Sequence, residues 1–126
     1  MTLFVAKEGT AYWNALKGPQ SDISGATPFT MMQTFYSDCL PVGHQWKQLY
    51  LELTGITSSK GEYRLVQVDS EVPAWWGVTG WGSLEDSLVI QHQDKNDHPF
   101  LPQGVGVAWV PVELVNRIQT MLWKGN

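Results

Sequence analysis

Two imidazoles and two carboxylates fall within seven residues, at His92-Gln93-Asp94-Lys95-Asn96-Asp97-His98. Zinc and other borderline divalent metals accept nitrogen and oxygen ligands, so His92, Asp94, Asp97 and His98 are of suitable types. His92 would end a strand and His98 would follow a turn, so the two could fold back onto one ion. The spacing matches no metal motif. Asp94-Lys95-Asn96-Asp97 also reads as an ordinary exposed turn, because Asp and Asn bond their own backbone. Pro99 biases His98 toward extended backbone. This segment carries one functional reading: a small metal-assisted enzyme, with His44 as a remote contributor.

A second candidate is an aromatic stretch, Pro73-Ala74-Trp75-Trp76-Gly77-Val78-Thr79-Gly80-Trp81-Gly82. Indoles offer large contact area at little entropy cost. They also stack on sugars, bases and cations. Glycines between them let a ligand or another backbone approach. The competing reading is that these indoles fill the core of a small sheet. Neighbouring side chains of a strand point to opposite faces. If the segment is extended, Trp75 and Trp76 cannot both face inward. One must lie outward, or be covered by a loop or a second subunit. With Glu71 and Glu85 beside them, Trp75, Trp76 and Trp81 form the candidate ligand- or partner-binding set within residues 71–86.

Other patterns carry less. Gly104-Val105-Gly106 is followed by a strand-like run, whereas a phosphate loop needs a helix there. Glu85 and Asp86 are adjacent, and paired glycosidase carboxylates must face each other across a substrate. Gly82-Ser83-Leu84-Glu85 lacks the GxSxG nucleophile elbow. Cys39 is the only cysteine. It forms no intrachain disulfide and reads as a small apolar residue.

The elements that must position these residues follow from periodicity. Thr2–Lys7 reads as an opening strand and Thr10–Leu16 as a helical turn. Thr27-Pro28 reads as a helix start, with Thr27 as cap and Pro28 in the first turn. Phe29, Met32, Phe35, Tyr36, Cys39 and Leu40 then step by three and four, which predicts a helix over about 28–40. Leu49, Leu51 and Leu53 alternate with polar residues, so Gln48–Thr54 is expected to be a strand. Ser58-Ser59-Lys60-Gly61 would turn it into a partner strand at Glu62–Asp69. Ser87–Gln93 and Val105–Val110 are further strands, the latter apolar on both faces and so expected to be covered. Pro111 opens an amphipathic helix over about 111–124. Neighbouring strands in the middle with helices at the ends predict a single α+β domain over 1–126, mainly one antiparallel sheet of four to five strands.

Composition limits the partners. The chain has 126 residues, 16% of them charged and 43% hydrophobic. It holds seven tryptophans, and 12 acids against 8 bases set the net charge at −4. Residues 62–97 hold seven acids against Arg64 and Lys95, a net −5. All the negative excess therefore sits in the segment that holds Trp75, Trp76 and Trp81. Nucleic-acid binding needs a basic face, and none is visible. No apolar run approaches the ~20 residues of a membrane helix. The short apolar run at the N-terminus has no basic region before it, so the cytoplasm is the expected compartment. No prosthetic cofactor is expected.

Together these features favour a small non-enzymatic binding or interaction protein. Its occupant would be a small apolar ligand or a basic protein partner, as for an inhibitor or immunity-type protein. A homodimer that buries spare indoles is a natural corollary.

Overall fold

β1 (Leu3–Glu8) turns at Gly9, whose φ is +61°, into β2 (Ala11–Asn14). The positive φ favours glycine there. The helical turn expected over Thr10–Leu16 is instead a strand followed by an exposed turn over residues 15–17. The computed structural model describes residues 2–35, 40–70, 72–95 and 101–123. β3 (Gly18–Gln20) pairs with β2, and β4 (Phe29–Thr30) and β5 (Gln45–Gln48) pair with β1. Phe4 lies between Phe29 and Gln48, and Lys7 between Tyr12 and Gln45. So β2 and β4 share one edge of β1, and β5 holds the other.

The second sheet is built on β6 (Glu62–Gln67). Its strand order is β10-β6-β7-β8, with β7 (Ala74–Gly77), β8 (Gly80–Gly82) and β10 (Val107–Pro111). β9 (Ile90–Gln91) also pairs with β6. All pairings in both sheets are antiparallel. The α+β class holds, with the expected single sheet divided into two sheets of five strands. One buried cluster draws on both: Val5, Leu49, Leu53, Val66, Trp75, Val110 and Ile118 all belong to it.

Three further elements differ from the sequence expectation. Leu49–Thr54 is a helix, α2, and not a strand. Leu49 and Leu53 are fully buried while Leu51 is exposed. Residues 49 and 53 are one helical turn apart, so a helix buries both against the sheets and leaves the middle leucine in water. The expected hairpin between 48–54 and 62–69 therefore does not exist, and β6 pairs with β10, β7 and β9. The helix expected over about 28–40 begins later. Phe29–Thr30 is a strand, and α1 runs Met31–Thr34. Its cap is Thr30, whose hydroxyl accepts from Gln33 N while the Gln33 side chain accepts from Thr30 N at 2.8 Å. That reciprocal capping box competes successfully with Thr27, whose hydroxyl instead accepts from Ala15 N. Tyr36 and Cys39 lie outside the described residues. Finally, only Ile90–Gln91 of the expected strand over Ser87–Gln93 is extended.

The C-terminal helix is close to expectation. A 3-10 turn, Val112–Leu114, leads into α3 (Val115–Trp123), which buries Val115, Ile118, Met121 and Leu122. No helix among the described residues is long and apolar enough to cross a membrane.

Glu113 fastens the start of this helical segment to the 55–61 loop. Its carboxylate accepts from the Ser59 hydroxyl at 2.6 Å, Ser59 N at 2.7 Å and the Ser58 hydroxyl at 2.7 Å. The Ser59 hydroxyl first, and its serine and backbone neighbours after it, hold the Glu113 carboxyl down from 4.5 to about 2. A carboxyl depressed by folding stabilises the fold above its unfolded value and loses that contribution as pH falls through its folded value. Wild type is therefore expected to lose stability between about pH 5 and pH 2 more steeply than Glu113→Gln. Urea melts of both at pH 7, 4 and 2.5 check this. Parallel curves would show that the carboxylate contributes nothing.

Candidate functional site

The outer face of the second sheet carries the candidate site, and strand parity places its residues. Val66 pairs with Trp75, and both are buried in the common core. The next residue on each strand, Leu65 and Trp76, must then project from the opposite face. Trp109 pairs with Leu65, and Trp81 pairs with Trp76. Three indoles thus cross the outer face from β10 to β8, with Leu65 between them.

The Trp75-Trp76 pair divides as parity requires. Trp75 is 0% exposed, and its indole N–H donates to Gln119 Oε1 at 2.7 Å. It belongs to the core and is closed to a ligand. Trp76 is half-buried, and Trp81 is 40% exposed. Their rings meet edge to face at a centroid distance of 5.2 Å, a favoured geometry for aromatic pairs. The tight link between β7 and β8 holds Val78, 81% exposed, and β8 opens on Gly80 at φ +111°.

A cation already occupies the other end of the face. Lys95 Nζ lies 4.0 Å from the Tyr63 ring centroid and 5.3 Å from that of Trp109. The Tyr63 and Trp109 rings are themselves edge to face at 6.3 Å. Tyr63 is fixed beneath by Ser58 N, which donates to its hydroxyl at 2.9 Å. An ammonium over an indole or phenol face is attracted by the ring quadrupole.

The acidic turn is held in place by Arg64. Its guanidinium donates to the Leu84 carbonyl at 3.2 Å, the Ser87 carbonyl at 2.8 Å and the Ser87 hydroxyl. Ser83 donates to Asp86 Oδ2 at 3.1 Å, and Leu88 N donates to the Trp76 carbonyl at 2.9 Å. The turn therefore runs beside β7. Glu85 and Asp86 project from it, both exposed.

The other sequence candidates fall elsewhere. Glu71, Asp97 and His98 lie outside the described residues. His92 and Asp94 share one 3-10 turn, His92–Asp94, with His92 exposed. Among the described residues, no group of three or more His, Cys, Asp or Glu is placed to hold a metal. His44 belongs to the first sheet's surroundings, 3.4 Å from Glu8 Oε2 and edge to face with Trp13 at 5.6 Å. It packs with those residues, whereas the His92 ring lies beside Tyr63 of the second sheet at a centroid distance of 6.1 Å. Trp109 and Lys95 were not expected in the site. The signal for Trp109 was its odd parity between Ala108 and Val110. It was hidden because a run apolar on both faces reads as fully covered. The chain matches no known family model, no curated protein and no solved structure.

Proposed function

We propose that the chain is a non-enzymatic binding protein that docks a basic protein partner on the outer face of its second sheet. Trp76 and Trp81 form the centre of that surface, and Glu85 and Asp86, exposed on the turn that packs on the Gly77 side of β7, add negative charge to its surroundings. The observation that supports this best is the half-exposed Trp76–Trp81 pair on a face where aromatic rings already receive Lys95. A partner lysine or arginine laid over Trp81 would repeat, between molecules, a contact the chain makes within itself. Trp81 and the neighbouring Val78 stand exposed at this face, whereas a small apolar ligand calls for a concave pocket. A protein surface therefore suits it better. The net −5 of residues 62–97 favours a basic partner and speeds its approach. An inhibitor or immunity-type role in the cytoplasm fits this chemistry.

A leucine-containing oligolysine peptide is the probe. Titrated at low salt, it is expected to quench indole emission, with an affinity that falls as salt is raised. Trp81→Ala and the Glu85→Lys, Asp86→Lys pair are each expected to weaken binding about tenfold. An equal response from Trp81→Ala would show that the peptide samples net charge alone, and the proposal would fail. Light scattering that shows a dimer of wild type and a monomer of Trp81→Ala would assign the face to a second copy of the chain instead.

A further inference from the structure

A cleft of about 580 Å³ lies between the loop over residues 14–28 and α3. That volume is within the usual range for small-molecule sites, ~300–1,000 Å³. It is built from different elements than the indole face. Ala26 and Met121, both buried, give it apolar lining, and Asn116 and Thr120 of α3 add polar groups.

The loop wall is stapled in place. Asn14 is 8% exposed, and its side-chain oxygen accepts from Leu16 N and Lys17 N, each at 2.9 Å. Its amide donates to the Gly25 carbonyl at 2.7 Å. Thr27 Oγ1 accepts from Ala15 N at 2.8 Å, and Asp22 Oδ1 accepts from Ser24 N at 2.9 Å. Arg117 of α3 reaches across to Asp22 Oδ2 at 3.0 Å and joins the two walls. A wall bonded in this way is preorganised, so a ligand need not order it.

Two features of the lining define an occupant. Leu16 is 88% exposed, and the Asn14 bonds fix its backbone at that position on the cleft. A rigid turn that presents a leucine to water offers apolar contact to something. The charge is the second feature. In a chain of net charge −4, the cleft is lined among the described residues by Lys17 and by Arg117, which also pairs with Asp22, and by no acidic residue. Lys17 has no ion-pair partner among the described residues. We infer that this cleft binds a small amphipathic anion, with an apolar body against Leu16, Ala26 and Met121 and a carboxylate, sulfonate or phosphate head toward Lys17 and Arg117.

The probe is 8-anilinonaphthalene-1-sulfonate, with N-phenyl-1-naphthylamine as its uncharged counterpart. The sulfonate is expected to bind saturably, one molecule per chain, with a blue-shifted emission. Thr120→Trp, which fills the cleft from an exposed helical position, and Lys17→Glu are each expected to weaken it about tenfold or more. Trp81→Ala is expected to leave it unchanged, which separates this site from the indole face. Circular dichroism confirms that each variant is folded, and the exposed Lys17→Glu decides the matter if Thr120→Trp is not. Binding that survives Lys17→Glu, that disappears in Trp81→Ala, or that is equally strong for the uncharged amine would overturn the inference. So would the absence of saturable binding.

Discussion

Trp75→Ala is expected to cost about 3–5 kcal/mol of unfolding free energy, the range for truncating a buried large aromatic. Trp81→Ala is expected to cost about 1 kcal/mol or less, the worth of one aromatic pair at a partly exposed site. The two residues are six apart on one hairpin, so composition and local sequence do not separate them. Burial does. Trp75 is 0% exposed within the cluster shared by both sheets, and alanine there leaves a cavity that the surrounding β6, β10 and α3 cannot wholly close. It also removes the donor from Gln119 Oε1, held at 2.7 Å. Truncating one partner of a buried hydrogen bond adds the desolvation cost of the other. Small domains are stable by only about 5–15 kcal/mol, so Trp75→Ala is expected to remove about a fifth or more of the total. Trp75→Phe keeps most of the ring and loses the N–H, and falls between the two. Urea melts read at 222 nm give all three values. Equal costs for Trp75→Ala and Trp81→Ala would show that the two faces of the sheet are not distinguished as described.

The parity of Trp75 and Trp76 was legible without coordinates, because adjacent residues of a strand always face opposite ways. Which of the two faces in was not, since that depends on what packs against the sheet. Here α3 decides it, by presenting Gln119 to Trp75. The C-terminal helix was legible because its apolar residues recur at helical spacing over a long run. The short elements were not. Leu49, Leu51 and Leu53 satisfy a strand by period two and a helix by the 49–53 pair, and only the burial of that pair inside both sheets chooses. Trp109 was missed for a related reason. A strand that is apolar on both faces looks covered, yet one of those faces carries an indole toward Lys95. The cleft was invisible in the sequence because its walls come from residues some ninety positions apart, joined by the Arg117–Asp22 pair.

Gly77→Ala is expected to cost about 1–3 kcal/mol, the penalty for forcing a methyl group into closed packing. A β-carbon on Gly77 would lie 2.5 Å from the backbone oxygen of Asp86 and 3.4 Å from its carbonyl carbon. No flexible side chain can move aside there. Either β7 shifts, carrying Trp75 and Trp76, or the 83–87 turn moves away. The turn is held by Arg64 through Leu84 and Ser87 and bridged to β7 at Gly77 and Ser87, so both routes break contacts. Gly82→Ala is the matched control. It lies on the same hairpin with no positive φ, and nothing is within 4 Å of its added carbon. It is expected to stay within about 0.5 kcal/mol of wild type. The pair also tests the proposed docking face. Gly77 lets the acidic turn approach β7 from the side of Trp75, and a shift of β7 away from it also displaces Trp76 and the Trp81 paired with it. Gly77→Ala is therefore expected to weaken oligolysine binding at temperatures where it remains folded, while Gly82→Ala binds as wild type does. A Gly77→Ala protein as stable as Gly82→Ala would refute the close packing. One that is destabilised yet binds the peptide fully would show that the Trp76–Trp81 pair keeps its place when the turn is displaced.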